Sequence, residues 1–177
     1  MERLITSDLL LRQWRRSDAD ELAQLFADPH FNWHPYRRAR TPEEAADFVA
    51  TARRHWFEHG IGRWAVCDRW SSELLGYAGV AELTWPVEAD SWDVGVRLAA
   101  GAQGRGLGLQ AGRAALDDAF TRTPARAVVA TAEIEHARCR RLFAQLRLDE
   151  VTEAVHPEFG TPHTVMRLAR DAWEKTG

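Results

Sequence analysis

A chain of 177 residues and 20.1 kDa has room for one domain with a sizeable core and little space for a second. With 45% hydrophobic and 28% charged residues, disordered and fibrous readings are poor. The formal charge of -3 argues against a nucleic-acid binder, and charges across Met1–Leu11 with no apolar run near the roughly 20 residues of a bilayer span predict a cytoplasmic protein that contacts no membrane.

Leu4–Arg12 reads as one strand, and Ser17 followed by Asp18, Asp20 and Glu21 supplies a helix cap with acids in the first turn. Leu22, Leu25 and Phe26 give that helix an apolar face, and Asp28-Pro29 ends it. The loop that follows, with Phe31, Trp33, His34, Pro35 and Tyr36, suits a pocket wall. Thr41-Pro42-Glu43-Glu44 opens a second helix with proline at its first position, running to about Glu58 and stopping at Gly60. Arg63–Asp68 and Leu74–Leu83 read as paired strands, Trp92–Leu98 as another strand, Gln103–Gly108 as a glycine-rich turn, and Leu109–Phe120 as a helix. Ala127–Ala132 is a short buried strand, His136–Leu146 a helix, and Glu150–Val155 and Thr164–Leu168 are closing strands. No repeat or linker divides this order, so a single domain over residues 1–177 is expected, an α/β or α+β sheet with helices on its faces.

Gln103-Gly104-Arg105-Gly106-Leu107-Gly108 lies between a strand and a helix, where exposed backbone N–H groups and the helix dipole favour an anion. The plain alternative is a turn that needs positive φ, but three glycines in five residues at a helix start favour phosphate binding. A nucleotide-triphosphate loop is excluded, because no Gly-Lys-Ser or Gly-Lys-Thr follows. Gly106, Gly108 and Ala111 do satisfy a dinucleotide fingerprint, with Glu133 at the end of the next strand, but such a fingerprint opens directly off its strand and this one does not.

Gln103-x-x-Gly106-x-Gly108 resembles the pyrophosphate loop of the GNAT acetyltransferases. Leu9-Leu10-Leu11-Arg12, His59 to Val66, Leu75 to Gly79 and Asp93 to Leu98 are similar to the RimJ/RimL-type branch, which acetylates protein N-termini and various small amines. The resemblance implies a mixed, mostly antiparallel sheet of about seven strands splayed after the fourth, with helices on both faces and acetyl-CoA in the split. It further implies that the backbone of Val94, Gly95 and Val96 pairs with the pantetheine arm. Amides of the loop Gln103, Gly104, Arg105, Gly106, Leu107 and Gly108 then cradle the pyrophosphate, without a metal. The implied partner is an amine acceptor, either a small molecule or a protein N-terminus; a homodimer is compatible with this reading. The implied chemistry is direct attack of a neutral amine on the thioester.

Asp93 stands where relatives often carry a glutamate, and a carboxylate there can take the amine's proton; an acid paired with an arginine is the structural alternative. Glu82 and Glu153 are weaker candidates by pattern. The helix after Glu133 departs from the family: His136, Cys139 and Arg147 stand where Asn, Ser and Gly are common. Phe143 replaces the tyrosine that protonates the thiolate in many relatives. His136 is therefore the expected pantetheine contact and Cys139 a weak proton donor, with a buried structural thiol as the alternative. These departures support a second reading, a catalytically weak acyl-CoA-binding module. His55, Glu58 and His59 match the inverted zinc-protease motif and give a remote metallohydrolase alternative, although a histidine beside Gly60 at a helix end is explained by the dipole. Trp33, Tyr36, Trp85 and Trp92 are candidates to line the acceptor side.

Overall fold

The computed structural model describes residues 2–32, 34–86 and 88–175. The segment expected as one opening strand folds as a hairpin, β1 (Arg3–Ile5) and β2 (Leu9–Arg12), because the Leu9 N–H turns back onto the Thr6 hydroxyl. The remaining strands are β3 (Arg63–Asp68), β4 (Leu74–Glu82), β5 (Ser91–Leu98), β6 (Ala127–Glu133), β7 (Asp149–Val155) and β8 (Pro162–Ala169). Among the described residues they form one eight-stranded sheet in the order β1-β2-β3-β4-β5-β6-β8-β7. Every pairing is antiparallel except β5 with β6. That order removes the dinucleotide reading, which needs a mostly parallel sheet.

Among the described residues five α-helices complete the fold: α1 (Asp18–Ala27), α2 (Pro42–His59), α3 (Leu107–Arg122), α4 (Ala137–Gln145) and the short α5 (Arg170–Glu174). Helix α2 starts on a capping box, in which the Thr41 hydroxyl accepts from the Glu44 N–H and the Glu44 carboxylate accepts from the Thr41 N–H. It stops at Gly60 in the left-handed conformation, and it buries Ala45, Val49, Ala52 and Trp56 along one stripe. The cap of α1 differs from expectation. Ser17 makes no capping bond; the buried Asp18 carboxylate accepts the Arg15 N–H and pairs with Arg12.

The helices divide by face. Arg63, Gly79 and Gly95 lie in one row across β3, β4 and β5, and Ala65, Tyr77 and Arg97 in the next. Ala65 and Tyr77 pack with Trp14, Phe26 and Phe31 beneath α1 and α2. On the other face, Trp64, Ala78 and Leu98 pack against Leu107, Ala111 and Ala115 of α3. Helix α4 lies against α3 at Gly112, where an added Cβ would stand 2.4 Å from a Leu146 methyl. Glycine is needed there for the approach of the two helices.

Candidate active site

Strands β5 and β6 pair through Ser91, Trp92 and Asp93, and the pairing ends there. From Val94 to Leu98 the β6-facing edge of β5 has no strand partner, while β6 continues along β8 as far as Glu133. The sheet therefore splits after β5. Counted with the opening hairpin as a single strand, this is the expected split after the fourth. Val94 is buried, and Gly95 and Val96 are half-buried along the open edge.

The glycine loop stands at the far end of that edge. Gly104 and Gly106 both have φ near +76°, and an added Cβ at either would meet nothing within 4 Å. Gly106 is the N-cap of α3, so the Leu107 and Gly108 amides are among the unpaired donors at a helix start. Gly108 differs: its Cβ direction points at Leu142 of α4 at 3.6 Å, so it serves packing rather than the open side of the loop. Arg105 is exposed. Gln103 is turned inward, donating to the Leu98 carbonyl at 2.8 Å and accepting from Arg138. It ties the end of β5 to the start of α4.

Asp93, Gly95 and Arg97 share the α1/α2 face of β5. The Asp93 carboxylate accepts from Arg63 Nη2 at 2.7 Å, and the Arg63 guanidinium lies over Gly95 at 3.7 Å from an added Cβ. Arg97 donates to the His34 carbonyl. Tyr77 stands 5.7 and 6.0 Å from the Arg63 and Arg97 guanidinium carbons. The described residues of the loop, 28–32 and 34–41, roof this face, anchored by Asn32 Nδ2 donating to the Phe26 carbonyl and by Arg40 over the Phe26 ring.

Glu133, buried at 4% exposure, holds that roof from the other side of the split. Its carboxylate meets His34 Nδ1 at 2.7 Å and Arg37 Nη2 at 2.6 Å. The His34 ring stacks on His136 at 4.0 Å, at the N-cap of α4. Burial, with His34 and the Arg97 guanidinium close by, pulls the His136 pKa down to about 4, so the stacked ring is neutral. Burial pushes the Cys139 thiol up to about 12. A thiol raised that far is a poor donor to a CoA thiolate, whose conjugate acid lies near an ordinary thiol at roughly 8.5. Phe143 is buried in the core, and Arg147 takes positive φ at the turn after α4.

The other sequence candidates scatter. Tyr36 meets the Phe159 ring at 5.9 Å over the roof, and Trp85 packs on His156 and His163. Trp33 lies outside the described residues. Trp92 packs against His55 and His59, and Glu82 and Glu153 are exposed. The zinc motif is dissolved by hydrogen bonding. His55 Nδ1 donates to the Ile61 carbonyl at 2.8 Å and its Nε2 accepts the Glu82 N–H at 3.1 Å, so neither nitrogen is left for a metal. Sequence reasoning gave no role to Arg63, Arg97 or the His34–Glu133 pair. The signal for Arg97 was present, a charge between apolar neighbours on the same strand as Asp93.

Residues 8–149 match the acetyltransferase (GNAT) domain. Among solved structures, a GnaT-family acetyltransferase of Bordetella pertussis superposes with a TM-score of 0.83 at 20% identity, covering 96% of this chain and 100% of that one. A ribosomal-protein-S5-alanine acetyltransferase of Vibrio fischeri gives 0.79 at 18% identity, covering 98% and 99%. The RimL ribosomal L7/L12 α-N-protein acetyltransferase, solved with coenzyme A, gives 0.78 at 15% identity, covering 97% and 99%.

Proposed function

The chain belongs to the GNAT acetyltransferase family, and we propose that it transfers the acetyl group of acetyl-CoA to a primary amine by direct attack of the amine on the thioester. The observation that carries this reading is the unpaired edge of β5 from Val94 to Leu98, leading to the open glycine loop at the start of α3. An extended pantetheine arm matches such an edge as an added strand would, and a pyrophosphate matches helix-start amides. The RimL structure was solved in complex with coenzyme A, which supports acetyl-CoA as the ligand class.

In this reading the arm lies along Val94–Val96, the amides of Arg105–Gly108 take the pyrophosphate, and Gln103 holds the loop in place from behind. His136 closes the arm's far side as a neutral ring. The amine enters from the α1/α2 face. Asp93 is the carboxylate at that face nearest the thioester strand, and its Arg63 partner fixes its orientation. It receives the proton of the entering ammonium, directly or through water. The C–N bond then forms, the C–S bond breaks, and the thiolate takes the second proton from the newly bonded nitrogen, directly or through water, because a Cys139 thiol near 12 is a weak acid. The acceptor is a small amine or a protein N-terminus of the kind named in the structural relatives.

Calorimetric titration with acetyl-CoA, followed by thiol release across an amine and peptide screen, tests the reading. Saturable one-site binding and thiol release with at least one amine are expected. Binding without release would favour the acyl-CoA-binding module, and no binding would remove both.

A further inference from the structure

The arginines around the acceptor face are unequally matched. Arg63 and Arg37 each pair with a carboxylate, Asp93 and Glu133. Arg97 is different. The hydrogen bond it makes goes to a neutral atom, the backbone oxygen of His34, and its Nη1 is buried with no partner. Among the described residues no carboxylate stands within ion-pair distance of it. Arg97 is half-buried, with that one nitrogen shut from water; a guanidinium so placed without a counter-ion is costly, and a fold keeps one where something else supplies the negative charge.

The position says what that is. Arg97 lies two residues along β5 from Gly95 on the same face, about 7 Å at strand spacing, which is within reach of its own side chain. It therefore stands beside the place where the amine meets the thioester, behind Phe31 and the His34 carbonyl. With Arg37, Arg63 and Arg97 against Asp93 and Glu133, the face carries one net positive charge, which repels polycationic amines and favours an acceptor that brings an anion. Guanidinium geometry suits a carboxylate, which accepts two parallel hydrogen bonds.

We propose that the acceptor is a small, amino-acid-like amine with a carboxylate a few bonds from its amino group, and that Arg97 binds that carboxylate. The inference rests on the acetyl-transfer reading above and names its substrate class. The amine then points back along β5 toward Asp93 while the carboxylate completes the Arg97 ion pair.

The test uses matched pairs: each common amino acid with its carboxamide and its decarboxylated amine, together with short neutral peptides, all with acetyl-CoA. Thiol release gives kcat and KM for each. For the best pair, kcat/KM should favour the carboxylate by roughly 10- to 100-fold, the range for hydrogen bonds to a charged group. Arg97→Gln should collapse that preference through KM, and Arg97→Lys should restore part of it. Thermal stabilisation by the same compounds with CoA bound gives a reading independent of turnover and confirms that both variants fold. Equal use of carboxylate and carboxamide, a best acceptor that is a peptide, or an Arg97→Gln loss of kcat equal for every acceptor would overturn the proposal; the last would make Arg97 an oxyanion donor. Failure of acetyl-CoA to bind would instead overturn the acetyltransferase reading, and with acetyl-CoA bound but no transfer, absent stabilisation by amino acids overturns the proposal.

Discussion

Gly106 and Gly108 are the same residue type two positions apart, and the structure predicts opposite outcomes for alanine at each. At Gly106, φ near +76° costs an L-residue about 1–2 kcal/mol, which in a domain of this size lowers Tm by roughly 2–8 °C. The new methyl also projects into the open space before α3, the proposed seat of the acetyl-CoA pyrophosphate. Acetyl-CoA affinity should fall at least about tenfold, or roughly 1.4 kcal/mol. At Gly108 the backbone is helical and the methyl meets Leu142 at 3.6 Å, an ordinary contact. Replacing a helical glycine with alanine gains up to about 1 kcal/mol, so Gly108→Ala should be neutral or stabilising and bind acetyl-CoA as wild type does. Denaturant unfolding and calorimetry on the two variants measure both effects. Undiminished acetyl-CoA binding by folded Gly106→Ala would refute the reasoning, as would a destabilised Gly108→Ala.

Asp93→Asn should lower kcat by roughly 100-fold with acetyl-CoA affinity nearly intact, since the cofactor is held by backbone amides and the carboxylate faces the amine; steady-state kinetics on any acceptor from the screen checks this. His136, held below its ordinary value, binds fewer protons folded than unfolded. Its contribution to stability is full above about 6.5 and is lost as pH falls toward about 4; in unfolding curves against pH, His136→Asn should flatten that limb, and an unchanged limb would assign it to other groups. His55→Ala should cost about 1–3 kcal/mol by leaving the Ile61 carbonyl and Glu82 N–H unmatched, with metal content unchanged by elemental analysis. Gly112→Val should destabilise by about 1–3 kcal/mol or more, because its Cβ would press on Leu146; an unshifted Tm would mean α4 moves freely against α3.

What was legible in the sequence was local. Thr41-Pro42 with Glu44, Gly60, and the glycines from 104 to 108 announce their conformations through the chemistry of a few adjacent residues, and the structure places α2 and the loop there. The opening hairpin carries no two-residue turn signature, so its strands read as one. Ser17 looked like a cap but makes no capping bond, while the Asp18 carboxylate reaches back to the Arg15 N–H and pairs with Arg12. The charged pairs at the site are contacts across the chain: His34 meets Glu133 from 99 residues away, and Arg63 meets Asp93 from 30. No spacing rule brings such residues together; the pairing of β3, β4 and β5 joins Arg63 to Asp93, and the split of the sheet sets Glu133 opposite His34. For the same reason Asp93 could be chosen from its strand position, while its Arg63 partner could not.

The central claim is that acetyl-CoA occupies the split beside β5 and the start of α3. Hydrogen exchange of the amides with and without acetyl-CoA tests it most directly, because each amide reports its own protection. Slower exchange is expected at Val94–Leu98 and Arg105–Gly108, with little change along β7. No added protection at those amides, or protection concentrated at the outer groove of α1 and α2 around Ala19, Val49 and Phe57, would contradict it.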